Sequence, residues 1–189
     1  AVDEEVLGLI ALMDIPSEHA KATIEYFRKQ GIHTTLITGD SEMTGKAVAK
    51  QLGIDEVIAN VMPEDKSRII DEQKEKYGVT AMVGDGVNDA PALVNADVGI
   101  AMGDGTDVAV EVSDLVLMQN NLSKLVQSHN ISSKMNRVIW QNIIFSMAVV
   151  AFLIVVSFLG LTDIAISVII HEGSTLVVIL NGLRLLRAV

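Results

Sequence analysis

The chain has 189 residues, half of them hydrophobic and none of them cysteine, and its formal net charge is −10. Without cysteine, disulfides and thiolate metal ligands are excluded from this stretch, so any metal must be bound by oxygen and nitrogen atoms. The charge is uneven: residues 1–114 contain 22 acidic and 9 basic side chains, whereas residues 115–189 contain 2 and 5. Because nucleic-acid surfaces require clustered Lys and Arg, the acidic first part excludes nucleic acid as a partner.

Short apolar runs alternate with amphipathic stretches along the first part of the chain. The apolar runs are residues 6–13, 34–38, 56–59, 80–84, 98–102 and 115–118, and the amphipathic stretches are residues 17–30, 43–52, 63–77, 89–95 and 106–112. Strands that alternate with helices of this length predict a parallel sheet wound on both faces, with ligands at the carboxyl ends of the strands. The sequence therefore predicts a doubly wound α/β domain over residues 1–121.

Residues 122–189 predict a linker helix and two membrane-spanning helices. The linker helix begins at Leu122 and enters residues 138–162, which contain no charged side chain, and a second apolar stretch covers residues 164–183. Each stretch is long enough to cross a bilayer, which requires about 20 apolar residues. The alternative is a buried helix pair in a soluble protein, and the length of the spans favours the membrane. The polar residues in the spans are predicted to join the two helices by hydrogen bonds, and Met147 is predicted to pack; the polar residues are Gln141, Asn142, Ser146 and Asn181.

The charges at the ends of the spans predict their orientation. Lys134 and Arg137 precede the first span and Arg184 and Arg187 follow the second, whereas the turn between them contains Asp163. Because Lys and Arg collect on the cytosolic side, we expect a multi-pass cell-membrane protein whose first domain and both hairpin ends are cytosolic. Membrane lipid is therefore an expected partner.

Two loops at the carboxyl ends of predicted strands suit phosphoryl transfer. The hydroxyl of Thr38, in the Thr-Gly-Asp loop 38–40, can donate to a phosphoryl oxygen, and glycine lets backbone amides approach the same group. In the second loop, Asp85 supplies a hard oxygen ligand of the kind that Mg²⁺ prefers. Asn88 and Asp89 follow, where they can cap the next helix or orient a metal and its waters.

Each motif also has a simpler interpretation. Thr-Gly-Asp alone is a common turn, and Gly-Asp-Gly alone commonly just ends a strand. Lys66 lies in the first turn of a helix opened by Pro63, where the helix dipole opposes a cation. Alone, it fits a solvated surface residue paired with Glu64 or Asp65. The occurrence of both loops together favours a shared site.

The motifs and their order resemble the phosphorylation domain of P-type ATPases, which belongs to the haloacid-dehalogenase superfamily. The motifs are Thr-Gly-Asp at 38–40, Pro63-x-x-Lys66, GDGVNDAPAL at 84–93 and VGIAMGDGTDVA at 98–109. The family commonly has Asp-x-x-Arg-Pro-Glu-Ala before its first long helix. Here residues 14–20 read DIPSEHA, and Ser17, in place of Arg, is expected to cap the helix.

This resemblance implies ATP as substrate, Mg²⁺ as cofactor and an aspartyl-phosphate cycle. The loop residues implied to act in catalysis are Thr38, Gly39, Asp40, Lys66, Asn88 and Asp89. Among them, Thr38 and Lys66 would contact the aspartyl phosphate. Asp85 and Asp89 would bind the cofactor, with Asp85 as the Mg²⁺ ligand, and Asn88 and Asp89 would complete the support of the site. The phosphorylated aspartate of the family lies in a DKTGT motif that these residues lack. We therefore expect a C-terminal piece, inactive alone, whose partners are the missing actuator, nucleotide-binding and transmembrane parts.

A second constellation, His171-Glu172-Gly173-Ser174-Thr175, lies in the middle of the second span. A carboxylate at bilayer depth is costly unless it is paired, protonated or metal-bound, and imidazole with carboxylate suits borderline divalent ions. On a helix, His171, Ser174 and Thr175 share a face, and Glu172 is rotated by about 100°. Pairing of His171 and Glu172 with each other or with other helices for packing is the alternative.

The HEGST sequence resembles the last-helix motif of heavy-metal ATPases associated with Co²⁺, Zn²⁺ and Fe²⁺ efflux. The resemblance implies that His171, Glu172, Ser174 and Thr175 bind the transported ion, completed by a Ser-Pro-Cys in an earlier helix. Copper exporters would have Met and paired serines here, and zinc, cadmium and lead exporters would have Asp. The alternatives are an exporter of Cd²⁺ or another soft ion, a membrane-anchored phosphatase of the same superfamily, and a non-enzymatic membrane subunit.

Overall fold

The computed structural model describes residues 16–118 and 121–187, which form five strands and seven helices. The strands are β1 (Thr35–Ile37), β2 (Glu56–Ile58), β3 (Ala81–Gly84), β4 (Val98–Met102) and β5 (Leu115–Leu117). The helices are α1 (Glu18–Lys29), α2 (Glu42–Leu52), α3 (Lys66–Tyr77), α4 (Ala90–Asn95), α5 (Asp107–Val112), α6 (Ser123–Phe158) and α7 (Ile164–Leu183). The order of elements matches the predicted one, and the predicted strand at residues 6–13 lies outside the described residues.

Every strand pair in the described residues is parallel, as the alternation of strands and helices predicts. The strands form two groups, β1 with β2, and β3, β4 and β5 in that order. Parallel pairing places the carboxyl ends of the strands within a group on the same edge. The loops predicted to carry the site therefore begin at the edges that such a sheet presents to ligands.

The core of this part of the chain is built from small and branched apolar side chains. Ala92, Ala101 and Ala109 are fully buried, and Ile70 and Leu93 are the largest fully buried side chains. These residues form one cluster from α3, α4, β4 and α5. Alanines at the contacts let helices approach the strands closely, so the loops that leave β3 and β4 start from a rigid base.

The start of α1 corrects one prediction. Ser17 occupies the position before the helix, as expected, but its hydroxyl makes no capping hydrogen bond. Its carbonyl oxygen instead accepts the Ala20 N–H at 3.0 Å. By contrast, the Ser41 hydroxyl does accept a bond from the Thr44 N–H at the start of α2. A serine at this position therefore does not by itself guarantee a side-chain cap.

The helices α6 and α7 form an antiparallel hairpin in a second compact unit, which begins at Gln127. Both are long and apolar enough to cross a membrane, and the apolar window of each is exposed within the chain. Asn181 donates to the side-chain oxygens of Asn142 at 2.9 Å and Gln141 at 3.4 Å, and Arg184 donates to Asn181. The predicted polar link between the helices is confirmed.

The first compact unit ends at Val126, five residues after the predicted domain boundary at residue 121. The helix α6 starts at Ser123, so its first turn belongs to the first unit and the rest to the second.

Candidate active site

Three loops follow the carboxyl ends of strands and carry or border the candidate residues. Loop 1 (38–41) follows β1, loop 2 (85–89) follows β3, and loop 3 (103–106) follows β4. A contact between the turns 63–65 and 87–89 brings the start of α3 next to loop 2. The predicted residues of the first compact unit thus lie on loops of the kind that bind ligands in parallel α/β folds.

Loop 1 is held by the backbone of residues 59–62. The Asn60 N–H donates to the Asp40 carbonyl at 2.8 Å, and the Val61 N–H donates to the Thr38 carbonyl at 3.1 Å. The Thr38 hydroxyl oxygen accepts the Asp40 N–H at 3.1 Å, which leaves the hydroxyl hydrogen for another acceptor. The Thr38 hydroxyl can therefore donate its hydrogen to a ligand at this loop.

Lys66 is paired with Asp89 and not with its sequence neighbours. Its ammonium nitrogen lies 2.5 Å from Asp89 Oδ1, with 18% and 11% of the two side chains exposed. Asp65, which the surface interpretation offered as a partner, pairs with Arg68 instead. The solvated-surface interpretation of Lys66 is wrong, because its ammonium group pairs with Asp89, which lies 23 residues further along the chain.

The carboxylate of Asp89 is shared between two donors. Its Oδ1 accepts from Lys66, and its Oδ2 lies 3.4 Å from the Asp85 N–H. A Cβ added to Gly84 would lie 2.8 Å from the Asp89 Cβ, so glycine is required for this approach. The capping role considered for Asp89 is wrong, since its side chain makes no capping bond to α4.

Asp85 and Asn88 are exposed, and in the described part of the chain neither side chain has a hydrogen-bond or ion-pair partner. The Asp89 carboxylate is already neutralised by Lys66, whereas that of Asp85 is free. Asp85 therefore suits the role of a single anionic ligand for Mg²⁺. That ion commonly takes its other ligands from waters and phosphate oxygens. Asp85 therefore suits direct metal binding better than Asp89, whose two oxygens are engaged.

The opposite, amino-terminal edge of the strands is also polar, but its groups satisfy one another. Glu56 accepts from Lys76 at 2.8 Å and from the Tyr77 hydroxyl at 3.0 Å, and His33 stacks on Tyr77. The hydrogen bond from Lys76 lowers the pKa of the Glu56 carboxyl below its usual value of 4.5. Asp55 likewise has a lowered pKa, first because the Thr34 hydroxyl donates to it.

The HEGST residues all lie in α7. The Ser174 hydroxyl donates to the His171 carbonyl at 2.6 Å, and the Thr175 hydroxyl is 3.4 Å from the same oxygen. Both hydroxyls thus bond back to their own helix, as serine and threonine commonly do in apolar helices. Within residues 16–118 and 121–187, no three side chains from His, Cys, Asp and Glu come together as a metal site.

The sequence interpretation missed residues that contact the site loops through the backbone, among them Asn60, Val61, Gly105 and Thr106. Asn60 has a φ of 55°, which asparagine tolerates better than most residues. An asparagine two residues before a Met-Pro step gives no distinctive signal. Gly105 and Thr106 lie in the motif at 98–109, and their tertiary contact with loop 2 could not be foreseen from spacing.

Comparison with known proteins agrees with this geometry. The family model of haloacid dehalogenase-like hydrolases matches residues 1–97. The zinc-transporting ATPase of Bacillus subtilis (strain 168) is 52% identical over 185 residues, which cover 98% of this chain and 29% of that protein. The copper-exporting P-type ATPase of Staphylococcus haemolyticus (strain JCSC1435) is 41% identical, with coverage of 99% and 24%. The chain therefore spans less than a third of the length of these relatives.

Among solved structures, a zinc-transporting PIB-type ATPase in the E2.Pi state matches with a TM-score of 0.90 and 38% identity, covering 97% of this chain and 30% of the other. This match includes the two apolar helices, which together with the relatives mark the chain as part of a membrane protein. The chain belongs to the haloacid dehalogenase-like hydrolases and, within them, is homologous to the heavy-metal-transporting P-type ATPases.

Proposed function

We propose that the chain forms most of the phosphorylation domain and the last two membrane helices of an ATP-driven pump that exports divalent transition-metal ions. The observation that carries the proposal is the arrangement around loop 2. A free Asp85 carboxylate lies next to a partly buried Lys66–Asp89 ion pair at the carboxyl edge of a parallel sheet. Anionic and cationic groups fixed in this way suit the charges of a phosphoryl group and its metal.

In this proposal each candidate residue has a distinct role. Thr38 donates its hydroxyl hydrogen to the phosphoryl group, with Gly39 and Asp40 completing the loop. Lys66 balances the phosphate charge, and Asp89 orients Lys66. Asp85, supported by Asn88, would hold Mg²⁺, which when bound lowers the charge repulsion between phosphate and an attacking nucleophile. The nucleophilic aspartate, the nucleotide-binding and actuator domains, and further membrane helices would come from other parts of the pump.

The hairpin supplies the proposed transport residues. His171 and Glu172 offer an imidazole and a carboxylate in the middle of α7, and Ser174 and Thr175 lie one turn further along. Two ligands do not complete a site for a borderline divalent ion, so other helices of the pump would supply the rest. The basic residues at the outer ends of α6 and α7 support a cytosolic location for both ends.

The exported ion is proposed to be Co²⁺, Zn²⁺ or Fe²⁺, on the basis of the HEGST sequence. The similarity to a zinc-transporting ATPase supports Zn²⁺ within this group. The chain also aligns over nearly its whole length with a relative named as a copper exporter. The relatives therefore do not determine the exported ion, which must be identified by experiment. Cd²⁺ is the runner-up ion.

The catalytic half of the proposal is tested with Asp85→Asn in the full-length pump. This change removes the anionic ligand, so we expect the variant to form no phosphoenzyme from ATP at low Mg²⁺. Glu75→Gln, which neutralises an exposed carboxylate on α3, is the matched control and is expected to behave as wild type. Normal phosphoenzyme levels in Asp85→Asn would overturn the assignment of loop 2.

The transport half is tested with Glu172→Gln, which keeps the shape of the side chain and removes its charge. We expect phosphorylation by ATP to lose its response to Co²⁺, Zn²⁺ and Fe²⁺, while phosphorylation by inorganic phosphate, an ion-free reaction, persists. Asp163→Asn is the control, because asparagine can still accept the Ile166 N–H at the start of α7. Unchanged metal affinity in Glu172→Gln would place the transport site elsewhere, and a response to Cd²⁺ alone would change the ion.

A further inference from the structure

Loop 3 makes two contacts with the main chain of Asp85, although it carries none of the predicted site residues. The Thr106 N–H donates to the Asp85 carbonyl at 3.1 Å. Gly105 lies so close that an added Cβ would be 2.8 Å from the Asp85 carbonyl oxygen and 2.7 Å from that of Met102. Only glycine fits between these two oxygens without moving one of them.

The main chain of Asp85 is thus held on both sides. Loop 3 fixes its carbonyl, and the Asp89 carboxylate lies 3.4 Å from its N–H. The Asp85 side chain, in contrast, is exposed and has no partner in the described part of the chain. Because the backbone of Asp85 is fixed, its carboxylate loses less conformational freedom on binding a ligand than a carboxylate on a mobile loop would lose.

We infer that Gly105 and Thr106 are positioning residues that hold Asp85 in the geometry in which it binds Mg²⁺. Neither residue would touch the ion or the phosphoryl group, so both act through Asp85. The inference rests on the proposed function of loop 2 and adds the neighbouring loop to the machinery that sets its metal affinity.

A purely local role for loop 3 makes a different prediction. The Thr106 hydroxyl accepts the Ala109 N–H at 3.4 Å and so caps α5, and the Gly105 N–H closes a turn on Met102. If these were the only roles, changes in loop 3 would alter stability and leave the Mg²⁺ dependence untouched. The capping oxygen belongs to the Thr106 side chain, whereas the bond to Asp85 uses the backbone N–H, so substitutions can separate them.

The first pair of variants is Gly105→Ala and Gly103→Ala in the full-length pump. A Cβ at Gly103 would also overlap backbone, lying 2.4 Å from the Leu117 carbonyl oxygen, but its nearest atoms belong to Leu117 and Met118 rather than to Asp85. We expect only Gly105→Ala to raise the Mg²⁺ concentration for half-maximal phosphoenzyme formation, by about 10- to 100-fold, the usual cost of losing support for a metal ligand.

The second pair, Thr106→Pro and Thr106→Ala, tests the backbone N–H of Thr106 separately from its side chain. It also keeps the inference testable if the glycine variants misfold. Both changes remove the capping hydroxyl, but only proline removes the donor to Asp85. The φ of −68° at Thr106 already suits proline. We expect the proline variant to need more Mg²⁺ than the alanine variant.

A binding measurement without ATP gives an independent readout. Hydrogen exchange of the segment 81–90 is followed in the full-length pump while Mg²⁺ is titrated, and slower exchange is expected in wild type. The titration midpoint should be higher in Gly105→Ala than in Gly103→Ala, and higher in Thr106→Pro than in Thr106→Ala. Equal midpoints within both pairs would overturn the inference. If Asp85→Asn itself kept the wild-type response to Mg²⁺, the proposed function of loop 2 would fail instead.

Discussion

The loops of the candidate active site and the HEGST segment of α7 both carry ionisable side chains in surroundings that disfavour unpaired charge. The two regions differ in how these side chains find partners. In the first unit, Lys66 and Asp89 neutralise each other across 23 residues of sequence at 2.5 Å. In α7, the hydroxyls near His171 and Glu172 bond to their own helix, and no third metal-binding side chain joins them in the described residues.

This difference shows which site the chain builds largely by itself. Loops 1, 2 and 3 are fixed by hydrogen bonds within the first unit, over a core of buried alanine, leucine and isoleucine. The apolar faces of α6 and α7 are exposed within the chain. A carboxylate or an imidazole in such a helix needs partners from other helices, so the proposed transport residues would depend on the rest of the proposed pump far more than the loops do.

The strongest test of this contrast is to break the ion pair with Lys66→Met. In the full-length pump, phosphoenzyme formation from ATP should fall by about 100- to 1,000-fold, the range seen when one preorganised donor is removed. Lys50→Met, an exposed lysine of α2, is the control. Turnover equal to wild type in Lys66→Met would return this residue to a structural role.

The same pair also separates stability from catalysis. Removing one partner leaves the other charge partly buried and unpaired, at a cost of up to about 3–5 kcal/mol in the free energy of unfolding. The double variant Lys66→Met/Asp89→Leu should therefore recover much of the stability, measured by chemical denaturation, and none of the activity. Recovery of activity as well would show that neither charge is needed for phosphoryl transfer.

A matched leucine substitution compares the packing of the two regions. Leu93 is 1% exposed and Leu180 is 64% exposed. In this chain, purified in detergent, Leu93→Ala should lower the free energy of unfolding by about 2–5 kcal/mol. Leu180→Ala should change it by less than about 1 kcal/mol, since an exposed side chain leaves no cavity. A larger effect of Leu180→Ala in the full-length pump would identify this face of α7 as a contact with other helices.

Within the hairpin, Asn181 provides the polar link between the two helices. Asn181→Leu removes the donor to Asn142 and Gln141 and should weaken the association of α6 and α7 by about 1 kcal/mol, as measured by unfolding in detergent. Ser146→Leu, on the apolar part of α6, is the control. No change in Asn181→Leu would mean that apolar packing alone joins the helices.

The smallest expected effect concerns Glu56, at the edge remote from the loops. Its pKa is lowered below 4.5 by the Lys76 hydrogen bond, so its stabilising contribution is complete above pH 4.5 and is lost as the pH falls through the lowered value. Glu56→Gln should thus destabilise the chain slightly at pH 7, and the difference from wild type should shrink below pH 4.5. A stability difference between Glu56→Gln and wild type that grew at acidic pH would contradict the role of the Lys76 hydrogen bond. Glu75→Gln is the control.

The sequence was a good guide to the elements of this protein. The strand β4 begins and ends at the predicted residues 98 and 102, and α7 begins and ends at residues 164 and 183. These elements are encoded locally, by the alternation of apolar runs and by a span without charge. The resemblance to P-type ATPases located the loops, since their glycines and aspartates are contiguous in the sequence.

What only the tertiary structure decided is the partner of each polar group. From the local sequence, Lys66 was expected to pair with Glu64 or Asp65, and Asp89 was expected to cap a helix. Instead, Lys66 and Asp89 pair with each other. The contact of Thr106 with Asp85 likewise depends on β3 and β4 lying side by side. Periodicity and motifs are properties of neighbouring residues, whereas the pairing of charges and backbone groups depends on distances set by packing, which brings together residues that are far apart in the chain.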